Sequence, residues 1–143
     1  MSAGIIDASV AVRWFLGEEA DALVQGALTL LAEYRAGRFS IHAPELLPIE
    51  VANAVWKQVR FAGLLPADAR NAVAQLLSYE MVLHPHAAVA SEALDLALAH
   101  RISVYDATYV TVARRTALPL WTLDQKLARA VSGAIDVRVP AVT

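Results

Sequence analysis

The chain contains no cysteine, which excludes disulfides, zinc–thiolate sites and thiol catalysis. It also lacks an excess of positive charge. Lys and Arg number 12 against 14 Asp and Glu, for a net charge of −2 at pH 7. That balance argues against a broad basic face, so nucleic-acid binding would need a local site or bound cations. Long apolar runs are missing as well. The longest uncharged stretches, Ala22–Ala32 and Met81–Ser91, fall well short of the roughly 20 residues that cross a bilayer. The N-terminus, from Met1 to Asp7, has no basic segment and meets an acid inside its apolar run, unlike a signal peptide. The expectation is a cytoplasmic protein without a membrane span.

Apolar residues are abundant, at 57% of the 143 residues. This length suits one domain, spanning 1–143, that can bury roughly 68–70% of its unfolded surface. The apolar surplus points to surface covered by a partner or a second copy. Alanine is used heavily and favours helix. Short apolar runs punctuate the helical segments. Strands are predicted at Gly4–Ile6, Phe39–His42, Met81–Leu83, Leu118–Trp121 and Asp136–Val139. Helices are predicted at Val10–Leu16, Ala20–Ala36, from Pro48 as first residue to Ala62, from Pro66 to about Tyr79, and at Ala87–His100, Ser103–Thr116 and Gln125–Val131. Strands that are apolar throughout, rather than alternating, imply a sheet covered on both faces. The pattern is therefore a parallel α/β sheet in three layers. In such sheets the functional crevice lies beyond the carboxyl ends of the strands.

Most acids have ordinary explanations: Glu18, Glu19 and Asp21 in a polar turn, Glu33, Glu92 and Asp95 on solvated helix faces, Asp68 at a helix start. Four do not. Asp7 directly follows the first strand among apolar neighbours. Glu50 is embedded in Leu46–Trp56. Asp106 lies in Tyr105-Asp106-Ala107-Thr108-Tyr109, and Asp124 follows the fourth strand. Asp7 and Asp124 fall at strand exits, Glu50 and Asp106 in first turns of helices, all at one sheet edge. Clustered carboxylates are costly unless neutralised, and no matching group of Lys or Arg stands beside them. Oxygen-only ligands favour Mg²⁺ or Mn²⁺. Taken singly, Asp106 and Asp124 read as helix-start residues. Ser103-Val104-Tyr105-Asp106 and Thr122-Leu123-Asp124-Gln125 both fit capping boxes, the latter with Thr122 as cap. Glu50 is a poor cap if Pro48 opens its helix. Only the joint arrangement favours metal.

The ordered set Ile6-Asp7-Ala8-Ser9, Glu50 with Asn53, the Tyr-Asp-Ala-Thr-Tyr around Asp106, and Thr122-Leu123-Asp124 resembles the PIN-domain ribonucleases. Within them it is similar to the VapC-like toxins of toxin–antitoxin pairs. The resemblance covers essentially the whole chain. It implies an α/β/α fold with strand order 3-2-1-4-5, and Asp7, Glu50, Asp106 and Asp124 as the catalytic, metal-holding acids. One or two Mg²⁺ or Mn²⁺ ions are implied, with Ser9, Asn53 and Thr122 in support. Asp7 and Asp106 are the first choices as direct ligands. Also implied are metal-dependent endonucleolytic hydrolysis of single-stranded or looped RNA and a small antitoxin partner, while the apolar surplus fits a homodimer.

Other features read plainly. Lys57 shares the stripe of Glu50 and Asn53 and could meet a phosphate, though a solvated lysine is the simpler reading. His84-Pro85-His86 reads as a loop, and Trp14, Trp56 and Trp121 as core or interface. Two alternatives stay open. One is a non-catalytic PIN-like RNA- or protein-binding module. The other is an aspartate-based phosphatase or phospho-acceptor, disfavoured because Ser9 stands where a second Asp would be needed.

Overall fold

The computed structural model describes residues 1–18 and 20–140, so Glu19 of the predicted polar turn lies outside the described residues. Five strands, β1 (Ser2–Ile6), β2 (Phe39–Pro44), β3 (Val82–His84), β4 (Leu120–Trp121) and β5 (Val137–Arg138), form one sheet of order β3-β2-β1-β4-β5. Every pairing is parallel. The helices are α1 (Ala8–Ala11), α2 (Ala22–Arg35), α3 (Leu46–Ala62), α4 (Pro66–Ser78), α5 (Ala90–His100), α6 (Val104–Thr116) and α7 (Gln125–Val131). The result is the parallel α/β sheet flanked by helices that the apolar strands require.

Burial explains the arrangement. Ile5 and Ile6 point to opposite faces of β1 and both are fully buried, so both faces of the central strand are covered. Helix α2 packs on β2, and α6 packs on β1, β2 and β4. Gly4 is fixed by a neighbour across the sheet. A Cβ there would lie 2.6 Å from Cδ1 and Nε1 of Trp121, so only glycine lets the indole lie against β1.

Several boundaries differ from the sequence reading. Helix α1 starts two residues early, at Ala8, because Asp7 caps it. It passes after Ala11 into a 3₁₀ turn at Val12–Trp14. Helix α3 starts at Leu46, so Pro48 is its third residue rather than its first. The first four helical N–H groups have no partner inside the helix, so proline costs no bond there. Glu50 consequently sits two residues further in than expected, in the second turn. Strand β4 is shorter than predicted, since the Leu118 N–H closes the end of α6 on the Ala113 carbonyl at 3.2 Å. Strand β3 is shifted one residue onward, β5 is confined to Val137–Arg138, and Ala87–Val89 is a 3₁₀ turn ahead of α5. Asp21 caps α2 rather than lying free in a turn. No helix among the described residues is long and apolar enough to cross a membrane.

Candidate metal centre and cleft

The parallel order puts the ends of β1 and β4 side by side. Ile6 is in register with Trp121, and the Asp7 N–H donates to the Trp121 carbonyl at 3.3 Å. The loops leaving both strands are then tied through one hydroxyl. Ser9 Oγ donates to Asp7 Oδ1 at 2.5 Å, accepts from the Leu123 N–H at 2.9 Å and lies 3.3 Å from Thr122 Oγ1. A serine hydroxyl has one donor and two acceptor positions. With its proton on Asp7 and one lone pair on the Leu123 N–H, Ser9 keeps one acceptor position beside Thr122, whose hydroxyl also acts on Asp7. Thr122, fully buried, also accepts from the Asp124 N–H at 3.0 Å.

Asp7 is 6% exposed. Burial raises its carboxyl from 3.8 to about 6, and the nearby charge of Asp106 adds to this. The Ser9 and Thr122 hydroxyls and the Val10 N–H pull the other way. Glu50 and Asp106 are half-buried, and both are also held above the usual carboxylate range, first by burial. The Asp106 charge adds to the rise at Glu50, and the Asp124 charge to that at Asp106. Asp106 therefore interacts with each of the other three acids and is the electrical centre of the group. Its helix is capped as the sequence suggests, by Ser103 Oγ accepting from the Asp106 N–H at 3.0 Å. The other predicted cap is different. Asp124, not Thr122, caps α7, its Oδ1 accepting from the Leu127 N–H at 3.0 Å, and it remains exposed to solvent.

Among the described residues, none of the four acids takes part in an ion pair. The four ion pairs among the described residues use Glu33, Glu92 (twice) and Asp136 instead. Glu50 Oε1 is buried without a hydrogen-bond partner in the protein. An oxygen-only donor set with excess negative charge and an unused buried oxygen fits a hard divalent cation. The fit is not a finished coordination sphere. Among the described residues, no three His, Asp or Glu side chains are already disposed as a metal-binding group.

Beside the acids lies a cleft of about 580 Å³, lined in part by Ser9, Arg13, Glu50, Asn53, Lys57 and Asp124. Asn53 faces this cleft but makes no hydrogen bond to Glu50. Lys57 and Arg13 also line it, and neither takes part in an ion pair among the described residues. Arg13 escaped the sequence reading. Its signal was the spacing of four from Ser9 across a short helix, which puts both on one face. Tyr109 was missed as well. It follows Asp106 by three residues on α6 and is 2% exposed, with its hydroxyl unpartnered. Of the remaining features, Trp14 is core, its Nε1 donating to the Ala27 carbonyl at 2.9 Å, whereas Trp56 is exposed. His84 is not a free loop residue: it ends β3 and shares a hydrogen bond with His42 at 3.0 Å between ring nitrogens.

A five-stranded parallel sheet of this order, with acids at the exits of β1 and β4 and on the helices beside them, defines a PIN-type α/β domain. The PIN domain family model matches residues 5–132, and the chain belongs to that family. Among its relatives is Ribonuclease VapC3 of Pyrobaculum aerophilum, 33% identical over 126 residues, covering 87% of this chain and 91% of the relative. Exonuclease VapC9 of the same organism is 35% identical over 88 residues, covering 62% of this chain and 65% of that one. The crystal structure of PAE2754 from Pyrobaculum aerophilum superposes with a TM-score of 0.67 at 26% identity, covering 94% of this chain and 83% of that one. The chain is thus a VapC-like PIN-domain protein.

Proposed function

We propose that the chain is a metal-dependent endoribonuclease, the toxin of a toxin–antitoxin pair acting in the cytoplasm. Asp7, Glu50, Asp106 and Asp124 would hold one or two Mg²⁺ or Mn²⁺ ions, with Ser9 and Thr122 fixing the orientation of Asp7 and Asn53 lining the approach. The observation that carries this reading is four acids, linked electrically through Asp106, with no ion pair to any of them among the described residues. Bound there, a divalent cation supplies the charge and the acidity that turn a water into a nucleophile near neutral pH. The chain's own residues do the rest. Arg13 and Lys57 offset the charge of the RNA backbone along the cleft. Ser9 keeps Asp7 pointing one way by donating to Oδ1. Single-stranded RNA suits a cleft of this size, because its backbone can be splayed into a local acidic pocket.

A small antitoxin partner is supported by an apolar groove of about 520 Å³ between α3 and α4, where Val55, Trp56, Val73 and Leu77 lie. A homodimer is supported by exposed Leu94 and Leu98 on α5. The test uses internally and end-labelled RNA with Mg²⁺, Mn²⁺ or EDTA, beside Asp7→Asn. Internal fragments that need metal and Asp7 are expected. Mononucleotides released from one end would make the enzyme an exonuclease. Metal binding without any cleavage would leave a binding module.

A further inference from the structure

Tyr109 brings a buried hydroxyl among the acids, near enough to Glu50 to interact yet outside full hydrogen-bond geometry. Its ring is 2% exposed, and neither its hydroxyl nor Glu50 Oε1 has a hydrogen-bond partner in the protein. The two groups nevertheless interact strongly. Burial first, then the charge of Glu50, with Asp7 and Asp106 behind it, pushes the phenol far above its ordinary range. The Tyr109 hydroxyl in turn favours the ionised form of Glu50. The pair interacts without meeting full hydrogen-bond geometry. One buried donor and one buried acceptor, each left short of a full hydrogen bond, are costly. Such a pair is explained if another arrangement of the site uses it.

Resting on the metal-site reading above, we propose that Tyr109 is a positioning residue whose hydroxyl donates to Glu50 and sets that carboxylate for a divalent cation. The geometry is suited to this. Tyr109 lies three residues after Asp106 on α6, so one helix face carries both an acid of the cluster and the donor that aims a second acid from α3. Donors of this kind, one step removed from the ion, typically change metal affinity 10–100-fold.

The experiment is Mn²⁺ titration by calorimetry of the wild type, Tyr109→Phe and Asp7→Asn, with thermal melts of each in chelator. Tyr109→Phe keeps the ring and removes only the hydroxyl. The inference expects Mn²⁺ affinity to fall roughly 10–100-fold while the melting temperature in chelator is unchanged or slightly higher, since no formed bond is removed. Wild-type affinity in Tyr109→Phe, with Asp7→Asn unable to bind, would overturn the role of Tyr109 and leave the metal site standing. Equal affinity in all three proteins would remove the metal site itself. A Tyr109→Phe protein that melts several degrees lower in chelator, or fails to fold, would make the hydroxyl a structural bond and overturn the inference.

Discussion

Replacing Asp7 with Asn should stabilise the metal-free protein at neutral pH, although it removes a residue from the centre of the site. Asp7 is 6% exposed and its carboxyl is raised from 3.8 to about 6. The folded chain therefore holds a proton that the unfolded chain has already released. That contribution to stability is whole below about pH 3.8 and is lost as pH rises through about 6. The loss amounts to about 3 kcal/mol at pH 7. Asparagine is neutral and has the same shape. Its Oδ1 can accept the two bonds that Asp7 Oδ1 receives, from Ser9 Oγ and the Val10 N–H. It is also a good helix cap. In thermal melts with chelator, Asp7→Asn should match the wild type near pH 4 and exceed it at pH 7 by roughly 5–10 °C. Added Mn²⁺ should raise the wild-type melting point by mass action and leave the variant unmoved. A variant that melts at or below the wild type at pH 7, or a difference that does not change with pH, would refute the argument that desolvation of this carboxylate is what the site holds against a cation.

Gly4→Ala drives a methyl group to 2.6 Å from the Trp121 indole. It should cost about 1–3 kcal/mol in urea unfolding, and an unmoved midpoint would mean that the indole swings aside freely. Arg13→Gln combined with Lys57→Gln should weaken single-stranded RNA binding and flatten its dependence on log salt by roughly 0.7 for each phosphate no longer neutralised. Fluorescence anisotropy reads this, with Mn²⁺ affinity as the control that should not change. His42 is kept below its ordinary 6.5 by burial and by His84. The unfolded chain takes up its proton first, so the His42 contribution to stability should fall as pH drops below about 6.5, against the gain at Asp7, and His42→Gln should fare better than the wild type over that range. Melts at pH 7 and 5.5 compare the two, and parallel changes would place the sensitivity elsewhere.

The elements and the positions of the four acids were legible along the chain. Apolar runs such as Ile5-Ile6 can only be strands covered on both sides, and Asp7 and Asp124 follow the ends of two of them. Ser103 was readable as a cap because capping is local: hydroxyl and N–H lie three residues apart. Where local rules competed, the sequence could not arbitrate. Thr122 and Asp124 both suit a helix start. Only the approach of Ser9 from the neighbouring strand, 113 residues away in the chain, binds Thr122 into the network between the two loops, while Asp124 takes the cap. Folding in three dimensions was needed to turn Tyr109 among the acids, to give Arg13 and Lys57 a cleft in common with Glu50, and to bring His42 to His84. Periodicity and capping act over a few residues, whereas desolvation and Coulomb interaction depend on distance in space. Whether a carboxylate is an ordinary surface charge or a costly buried one is settled only when the sheet brings the strand ends together.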